Sequence, residues 1–218
     1  NEATTVRLLL ACSKSIKKFI FASSQVVYGD ANHITVSEDF SLQGSDSAYA
    51  CSKVNSENWL RFFQKEYGGL YIVLRLSGFV EGRGIIDYII DSALRDKDVE
   101  LFSRGKVCRD YLSVEKGMEA FISALNYEKD EGFESFNIGS GQVSTSYELA
   151  KLIFSELNAT GEIILSHVPA PQRDFVFDIK KAVECLNFSP GNLSESIRSY
   201  ANQKKRCFRR VDEEHEKN

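Results

Sequence analysis

Residues 17–24 of this chain read Lys-Lys-Phe-Ile-Phe-Ala-Ser-Ser, a short apolar run that ends in two hydroxyl-bearing residues. A run of this kind is typical of a strand that is buried on both faces of a parallel sheet. A helical pattern follows over residues 48–67 and is stopped by Gly68 and Gly69. Residues 70–76 (LYIVLRL) form a second apolar run. Strand, helix and strand in this order predict a parallel β-α-β unit and therefore an α/β fold with a mostly parallel sheet.

The same alternation extends in both directions from this unit. Further helices are predicted near residues 3–15, 85–95, 114–127, 146–157, 179–186 and 193–203, and strands near 99–102, 110–112, 133–138 and 163–165. Residues 204–218 carry a basic cluster followed by an acidic one. We expect a solvated, disordered tail there, with a nucleic-acid patch as the weaker alternative.

Composition narrows the class of protein. The chain has 218 residues, of which 43% are hydrophobic and 27% charged, with a net charge of −4. These values are typical of a soluble globular protein, and they argue against nucleic acid or an anionic membrane as the main partner. No apolar run approaches the roughly 20 residues of a membrane span, and residues 1–5 do not resemble a secretory signal. The dispersed cysteines and histidines favour neither disulfides nor a metal site, and so indicate the cytoplasm.

Three polar side chains are placed where a parallel sheet binds its ligands. Ser24 follows the first strand directly, and the carboxyl ends of such strands are where ligands sit. Tyr49 and Lys53 are four residues apart on the first turns of the next helix and therefore share one face. A buried cation beside a phenol favours the phenolate, lowering a tyrosine pKa from about 10 toward a range useful for a base. Singly, each is as well explained as a turn cap or a surface residue, but together they predict one site.

Several motifs, in order, resemble those of a known family. They are residues 19–30 (FIFASSQVVYGD), 47–53 (SAYACSK), 73–76 (VLRL), 108–114 (CRDYLSV), 136–141 (FNIGSG) and 169–174 (PAPQRD). Together they resemble the extended short-chain dehydrogenase/reductases, which are NAD-dependent epimerases and dehydratases of nucleotide sugars. The resemblance implies a Rossmann-like sheet over residues 1–77, a region mixed with a small C-terminal α/β substrate-binding domain over 78–203, and a charged tail over 204–218.

The resemblance also implies a role for each matching catalytic residue. Tyr49 would take the proton of a sugar hydroxyl. Lys53 would bind the nicotinamide ribose and hold the Tyr49 pKa down. Ser24 would hydrogen-bond the reacting oxygen.

Binding roles are implied for five further residues. Gln25, Arg109 and Arg173 would contact a nucleotide-diphosphate sugar, with the two guanidinium groups on the diphosphate. Asn1 and Ser77 would contact the cofactor, which is NAD or, as the alternative in this family, NADP, and no metal is implied. Full-length family members often form homodimers through two long helices. Residues 48–67 would be one of these helices, with Trp59, Phe62 and Phe63 as apolar contacts or simply as core.

The chain departs from the family at its start. The family opens with a strand, a glycine-rich turn and a helix that bind the NAD pyrophosphate, and no such segment precedes Asn1. We therefore expect a fragment that binds NAD poorly on its own. Residues 139–141 (GSG) lie between a strand and a helix, but they lack the third glycine of that fingerprint. They are interpreted as a turn of the substrate-binding region.

Other departures bear on the reaction. Family dehydratases carry Asp-Glu where this chain has Gln25 and Val26, and neither of these can act as an acid or base. Gly78 replaces an Asn that often holds the substrate. These differences disfavour dehydration and favour an NAD-dependent epimerase that acts through a 4-keto sugar. The alternatives are an NADP(H)-dependent 4-keto sugar reductase and a family member that binds a nucleotide without catalysis.

Overall fold

A computed structural model describes residues 2–12, 14–29, 35–44, 47–82, 84–170 and 174–215 of the chain. The helices within these residues are Glu2–Cys12 (α1), Ala48–Tyr67 (α2), Ile85–Leu94 (α3), Val114–Asn126 (α4), Ser146–Leu157 (α5), Lys180–Leu186 (α6) and Leu193–His215 (α7). The strands are Lys18–Ser24 (β1), Thr35–Val36 (β2), Leu70–Leu76 (β3), Gly78–Phe79 (β4), Val99–Leu101 (β5), Cys108–Arg109 (β6), Tyr111–Leu112 (β7), Gly132–Ile138 (β8), Ser144–Thr145 (β9), Ile163–Leu165 (β10) and Val176–Phe177 (β11).

The central sheet is parallel and has the order β1-β3-β8. Its register places Ser24 opposite Leu76, and Leu76 opposite Ile138. All three strands therefore end at the same level, and the residues that follow them form one rim. The predicted parallel α/β fold is confirmed, and the boundaries expected for α2 and β3 agree with the structure.

Successive side chains of β3 point to opposite faces of the sheet, and helices cover both faces. Leu70, Ile72 and Leu74 point to one side, where α4 and α6 pack. Tyr71 and Val73 point to the other side, where α1 and α2 pack. Because both faces are buried, the strand is a continuous apolar run, as the sequence indicated.

A second cluster of buried residues joins α3, α5 and α7 to β5. Short strand pairs surround it: β5 with β10, β2 with β11 and β4 with β7 are parallel, and β6 with β9 is antiparallel. This region lies beyond the carboxyl ends of the central sheet, because β4 and the residues after Ile138 continue directly from it.

The expectation of a disordered tail from residue 204 is wrong for residues 204–215; residues 216–218 lie outside the described residues. Helix α7 runs on to His215. Lys204 Nζ lies 3.4 Å from Asp87 Oδ1 and 3.3 Å from Asp91 Oδ1 on α3, and Lys205 Nζ donates to Leu157 O. These partners are distant in sequence, so local charge composition does not reveal them.

Phe63 is a core residue and offers no surface for a second subunit. It is 2% exposed and packs with Leu60 and Tyr71, whereas Trp59 and Phe62 on the same helix are exposed. None of the described helices is long and apolar enough to cross a membrane.

Candidate active site

The end of β1 turns sharply at Ser24. The serine is extended and begins a short 3-10 turn over Gln25–Tyr28, where its Oγ accepts a hydrogen bond from Val26 N at 3.5 Å. Among the described residues, this long contact is the hydrogen bond of the Ser24 hydroxyl. Ser24 therefore sits at the rim of the sheet as a turn cap whose oxygen can also take a ligand.

Helix α2 begins beside this rim. Ser47 caps it by accepting from Ala50 N at 3.1 Å, as predicted for one of the capping side chains; residues 45 and 46 lie outside the described residues. Tyr49 is on the first turn and is 47% exposed. Lys53 is one turn further on, with its Nζ 5.6 Å from the centroid of the Tyr49 ring.

Lys53 also reaches β1. Its Nζ donates to Ala22 O at 2.7 Å and lies 4.9 Å from the centroid of the Phe21 ring. Burial lowers the pKa of Lys53 below its ordinary value, and the Glu57 carboxylate opposes this effect. The ammonium is thus held between the carboxyl end of β1 and the Tyr49 ring, with donors left over after its bond to Ala22.

Two cavities lead away from the rim. The inner cavity, of about 350 Å³, is lined by Gln25, Gly78, Phe79, Glu81, Gly82, Gly84, Ile85, Ile86, Arg109, Asp110 and Tyr111. The outer cavity, of about 430 Å³, is lined by Gly84, Ile85, Tyr88, Glu100, Leu101, Phe102, Val107, Arg109, Tyr111, Ser146, Leu149 and Ala170. Four residues line both, so the two cavities adjoin at Arg109, and the inner one begins next to Ser24.

Arg109 is the cation at this junction. Burial lowers its pKa, and the charges of Tyr111 and Asp174 oppose that effect. None of the carboxylates in the described residues forms an ion pair with it. A partly buried guanidinium that forms no ion pair within the described residues is suited to an anionic ligand, above all to a phosphate.

Asp110 organises the turn that follows β8. Its Oδ1 accepts from Ser140 N at 2.7 Å and from Ser140 Oγ at 2.8 Å, and its Oδ2 accepts from Gly141 N and Phe177 N, each at 3.1 Å. A Cβ added to Gly139 would lie 2.6 Å from Asp110 Oδ2, which explains the glycine at that position. The N–H groups of this turn are occupied by a carboxylate of the chain itself, as befits a structural turn and not a phosphate loop.

The other candidate residues are dispersed. Ser77 is buried after β3 and lines neither cavity; its Oγ contacts Gly78 O at 3.4 Å. Asn1 and Arg173 lie outside the described residues. Glu57 was not anticipated, although its place four residues after Lys53 on the same helix face is visible in the sequence.

Comparison with known proteins places this geometry in a family. The family model for the NAD dependent epimerase/dehydratase family matches residues 1–139, which is more than half of the chain. The chain belongs to the NAD dependent epimerase/dehydratase family. The match covers Ser24, Tyr49, Lys53 and Arg109, which are the residues that the structure places around the rim and the two cavities.

Relatives of this epimerase/dehydratase chain include different activities. It is 32% identical over 216 residues to a putative UDP-glucose 4-epimerase of Methanocaldococcus jannaschii, covering 93% of this chain and 68% of that protein. It is 33% identical over 183 residues to a dTDP-4-dehydro-6-deoxyglucose reductase of Escherichia coli, covering 80% of this chain and 57% of that protein. The chain thus spans 57% to 68% of the length of these two curated relatives.

A solved structure shares the fold across nearly the whole chain. The crystal structure of a UDP-glucose 4-epimerase with UDP-glucose from Thermotoga maritima superposes with a TM-score of 0.82 at 28% identity, covering 94% of this chain and 69% of that one.

Proposed function

We propose that this family member is part of an NAD-dependent nucleotide-sugar epimerase that acts through a 4-keto intermediate. The observation that supports this most directly is that Lys53 Nζ links the Tyr49 ring to Ala22 O, two residues before Ser24, while Gln25, the residue after Ser24, lines the inner cavity. We also propose the division at residue 77, with the catalytic residues before it and the substrate-binding region mixed in after it. Similarity to a putative UDP-glucose 4-epimerase over 93% of this chain supports epimerisation.

The described residues fit the nicotinamide-ribose end of a cofactor. Lys53 Nζ retains donors after bonding Ala22 O, and the neighbouring Tyr49 is exposed. The glycine-rich pyrophosphate loop is not among the 218 residues. A nicotinamide cofactor, when bound, supplies the hydride acceptor and donor that such a reaction needs.

The chain's own groups would handle the proton and the charge. Tyr49 would accept the proton of the sugar hydroxyl while the carbon that bears this hydroxyl loses its hydride. Tyr49 would return the proton to the same oxygen when hydride is added to the opposite face of that carbon. Lys53 Nζ, which lies 5.6 Å from the centroid of the Tyr49 ring, would attract the negative charge of the reacting oxygen electrostatically. The Ser24 hydroxyl would donate to the developing carbonyl oxygen.

The cavities would hold the rest of the substrate. The sugar would occupy the inner cavity beside Gln25, and Arg109 would bind the diphosphate at the junction. The outer cavity, lined by Leu101, Phe102 and Leu149 among others, would take the base and ribose. Its 430 Å³ is in the range of small-ligand sites.

A reductase is the second candidate, because the chain is 33% identical to a dTDP-4-dehydro-6-deoxyglucose reductase. In that reaction Tyr49 would donate its proton to the substrate oxygen instead of taking one. The two reactions differ in whether the cofactor is consumed, which makes them separable in one assay.

The test incubates the full-length protein that contains this chain with NAD and UDP-glucose and, separately, with NADPH and dTDP-4-dehydro-6-deoxyglucose. Proton NMR of the sugar reports a 4-epimer, and absorbance reports NADPH consumption. We expect the 4-epimer to form without net change in NAD. Stoichiometric NADPH oxidation would favour the reductase instead, and binding of UDP-glucose without any turnover would favour a non-catalytic role.

A further inference from the structure

A buried ion pair lies beneath the candidate catalytic residues. Arg75 Nη2 and Glu57 Oε2 are 2.8 Å apart, and the two side chains are 1% and 0% exposed. Neither residue lines the inner or the outer cavity, and neither has a part in the chemistry proposed above. Their burial as charges therefore needs an explanation of its own.

Glu57 joins helix α2 to the end of β1. Tyr49, Lys53 and Glu57 follow each other at intervals of four residues and share one helix face. Ser23 Oγ donates to Glu57 Oε1 at 2.6 Å, and Arg75 Nε donates to the same oxygen at 3.3 Å. Ser23 directly precedes Ser24. Its bond to Glu57 therefore connects helix α2, which carries Tyr49 and Lys53, to strand β1, which carries Ser24.

Arg75 contacts the turn that follows Ser24. It lies opposite Ser23 in the sheet register, and its Nη1 donates to Tyr28 Oη at 2.7 Å and to Glu38 O at 3.1 Å. Tyr28 closes the turn that Ser24 begins. Ser24 is thus placed between two residues that are both anchored to the same ion pair.

The network continues into β8. Tyr28 Oη donates to Asn137 Oδ1 at 2.7 Å, and Asn137 Nδ2 donates to Val36 O at 2.9 Å. Burial raises the pKa of Tyr28 to about 12, so the phenol keeps the proton that it donates. The anchoring is therefore shared by the four strands β1, β2, β3 and β8 and by helix α2.

Stability alone does not account for such a pair. Desolvation of two charges offsets most of their attraction, and well-packed apolar residues of similar volume often stabilise a fold equally well. Apolar side chains would not supply hydrogen bonds of set length and direction between α2 and β1. Direction is what a site needs, because a misplacement of about 1 Å can reduce turnover roughly 100-fold.

We propose that the Glu57–Arg75 pair positions Ser24 relative to Tyr49 and Lys53, acting through Ser23 and Tyr28. The inference rests on the proposed function, since it assigns the three positioned side chains to one reaction. Glu57 and Arg75 are positioning residues, and they do not contact the substrate.

The test replaces the network by apolar residues in the triple variant Ser23→Ala/Glu57→Leu/Arg75→Met of the full protein. We expect an unfolding midpoint within about 4 °C of wild type, the shift that corresponds to roughly 1 kcal/mol in a chain of this size. We expect KM for the nucleotide sugar to change less than about threefold, because Arg109 and both cavities are untouched, while kcat falls about 10- to 100-fold. A folded triple variant with wild-type kcat would overturn the proposal.

Tyr71→Phe is the matched control. Tyr71 is a buried residue of β3 like Arg75, and its Oη has no hydrogen-bond partner in the described part of the chain. Removing the Tyr71 hydroxyl should leave kcat, KM and the unfolding midpoint near the wild-type values.

A second variant covers the case in which the triple variant does not fold. Ser23→Ala keeps the ion pair and removes only the bond to Glu57 Oε1. The tie between α2 and β1 is then weakened, and we expect kcat to fall about tenfold or more with the KM of wild type. Wild-type kcat in Ser23→Ala would contradict the positioning role.

A structural readout separates this inference from the proposed function. If the wild-type protein turns over no nucleotide sugar, the proposed function fails, and crystal structures of wild type and of Ser23→Ala still decide the positioning. A change of about 1 Å or more in the distance from Ser24 Oγ to Lys53 Nζ would support the inference. An unchanged distance would overturn it.

Discussion

At the scale of single residues, Tyr49 is the group on which the proposed proton transfer depends. Tyr49→Phe removes the hydroxyl and leaves the ring beside Lys53, so nucleotide-sugar binding should persist while turnover falls at least about 100-fold. Steady-state kinetics with UDP-glucose and isothermal titration of UDP measure the two effects. Tyr67→Phe, an exposed tyrosine at the far end of the same helix, is the control and should behave as wild type. Near-normal turnover of Tyr49→Phe would remove Tyr49 from its proposed role.

Gln25 carries an unusual buried acceptor. Its Oε1 is buried and has no hydrogen-bond partner among the described residues, and the side chain lines the inner cavity. Leaving such an atom unpaired costs about 1–3 kcal/mol, which a sugar hydroxyl could relieve. Gln25→Met should therefore leave the free energy of unfolding equal or higher and raise KM about tenfold. Unchanged KM together with lower stability would show that Gln25 serves the fold and not the substrate.

At the scale of elements, helix α5 supports the outer cavity through Ser146 and Leu149 and depends on its N-terminal cap. Thr145 Oγ1 accepts from Glu148 N at 3.1 Å, and Glu148 Oε2 accepts from Thr145 N at 2.8 Å. Thr145→Ala should lower the free energy of unfolding by about 1 kcal/mol, as for other helix caps. Thr145→Ser keeps the capping hydroxyl and should lower the free energy of unfolding by much less than Thr145→Ala. Urea denaturation compares the two, and equal stability of Ala and Ser variants would contradict the prediction.

The same cap predicts a dependence on pH. Hydrogen bonds from the Thr145 backbone and hydroxyl hold the pKa of Glu148 below its ordinary value of 4.5. Because the folded-state pKa is lowered, this stabilisation is present above pH about 4.5 and is lost as the pH falls through the folded-state value. The difference in unfolding free energy between wild type and Glu148→Gln should therefore shrink on acidification. A difference that stays constant from neutral to acidic pH would exclude this role for the carboxylate.

At the scale of the whole molecule, the surface of the packed pair α1 and α2 carries exposed apolar side chains. They are Leu8, Leu10, Trp59 and Phe62. We propose that this surface forms a homodimer, as the family resemblance implied for α2. Phe62→Glu should then shift the protein to monomers in sedimentation equilibrium, because a charge would be buried at the interface. Met118→Glu, at an exposed apolar position on α4, is the control and should leave the dimer intact. A Phe62→Glu protein that remains dimeric would place any interface elsewhere.

The local pattern of apolar and polar residues was sufficient to predict the main helices and strands. The apolar run that became β1, the helix that ends at Gly68 and the continuous apolar strand β3 all follow from short-range periodicity and from residues that stop a helix. The placement of Ser24 at the rim and of Tyr49 and Lys53 on one helix face follows from the same local rules. These properties depend on neighbours within about one helical turn, which is why the sequence determined them by itself.

Tertiary structure decided the rest, because it brings together residues that are far apart in the chain. The ordered course of α7 beyond residue 203 depends on Asp87 and Asp91, and the core position of Phe63 depends on Tyr71. The buried pair of Glu57 and Arg75 could not be read from spacing, since a charged residue on a helix is more often solvated than paired. Where each charge is neutralised is a question of three-dimensional contact, and only the folded chain answers it.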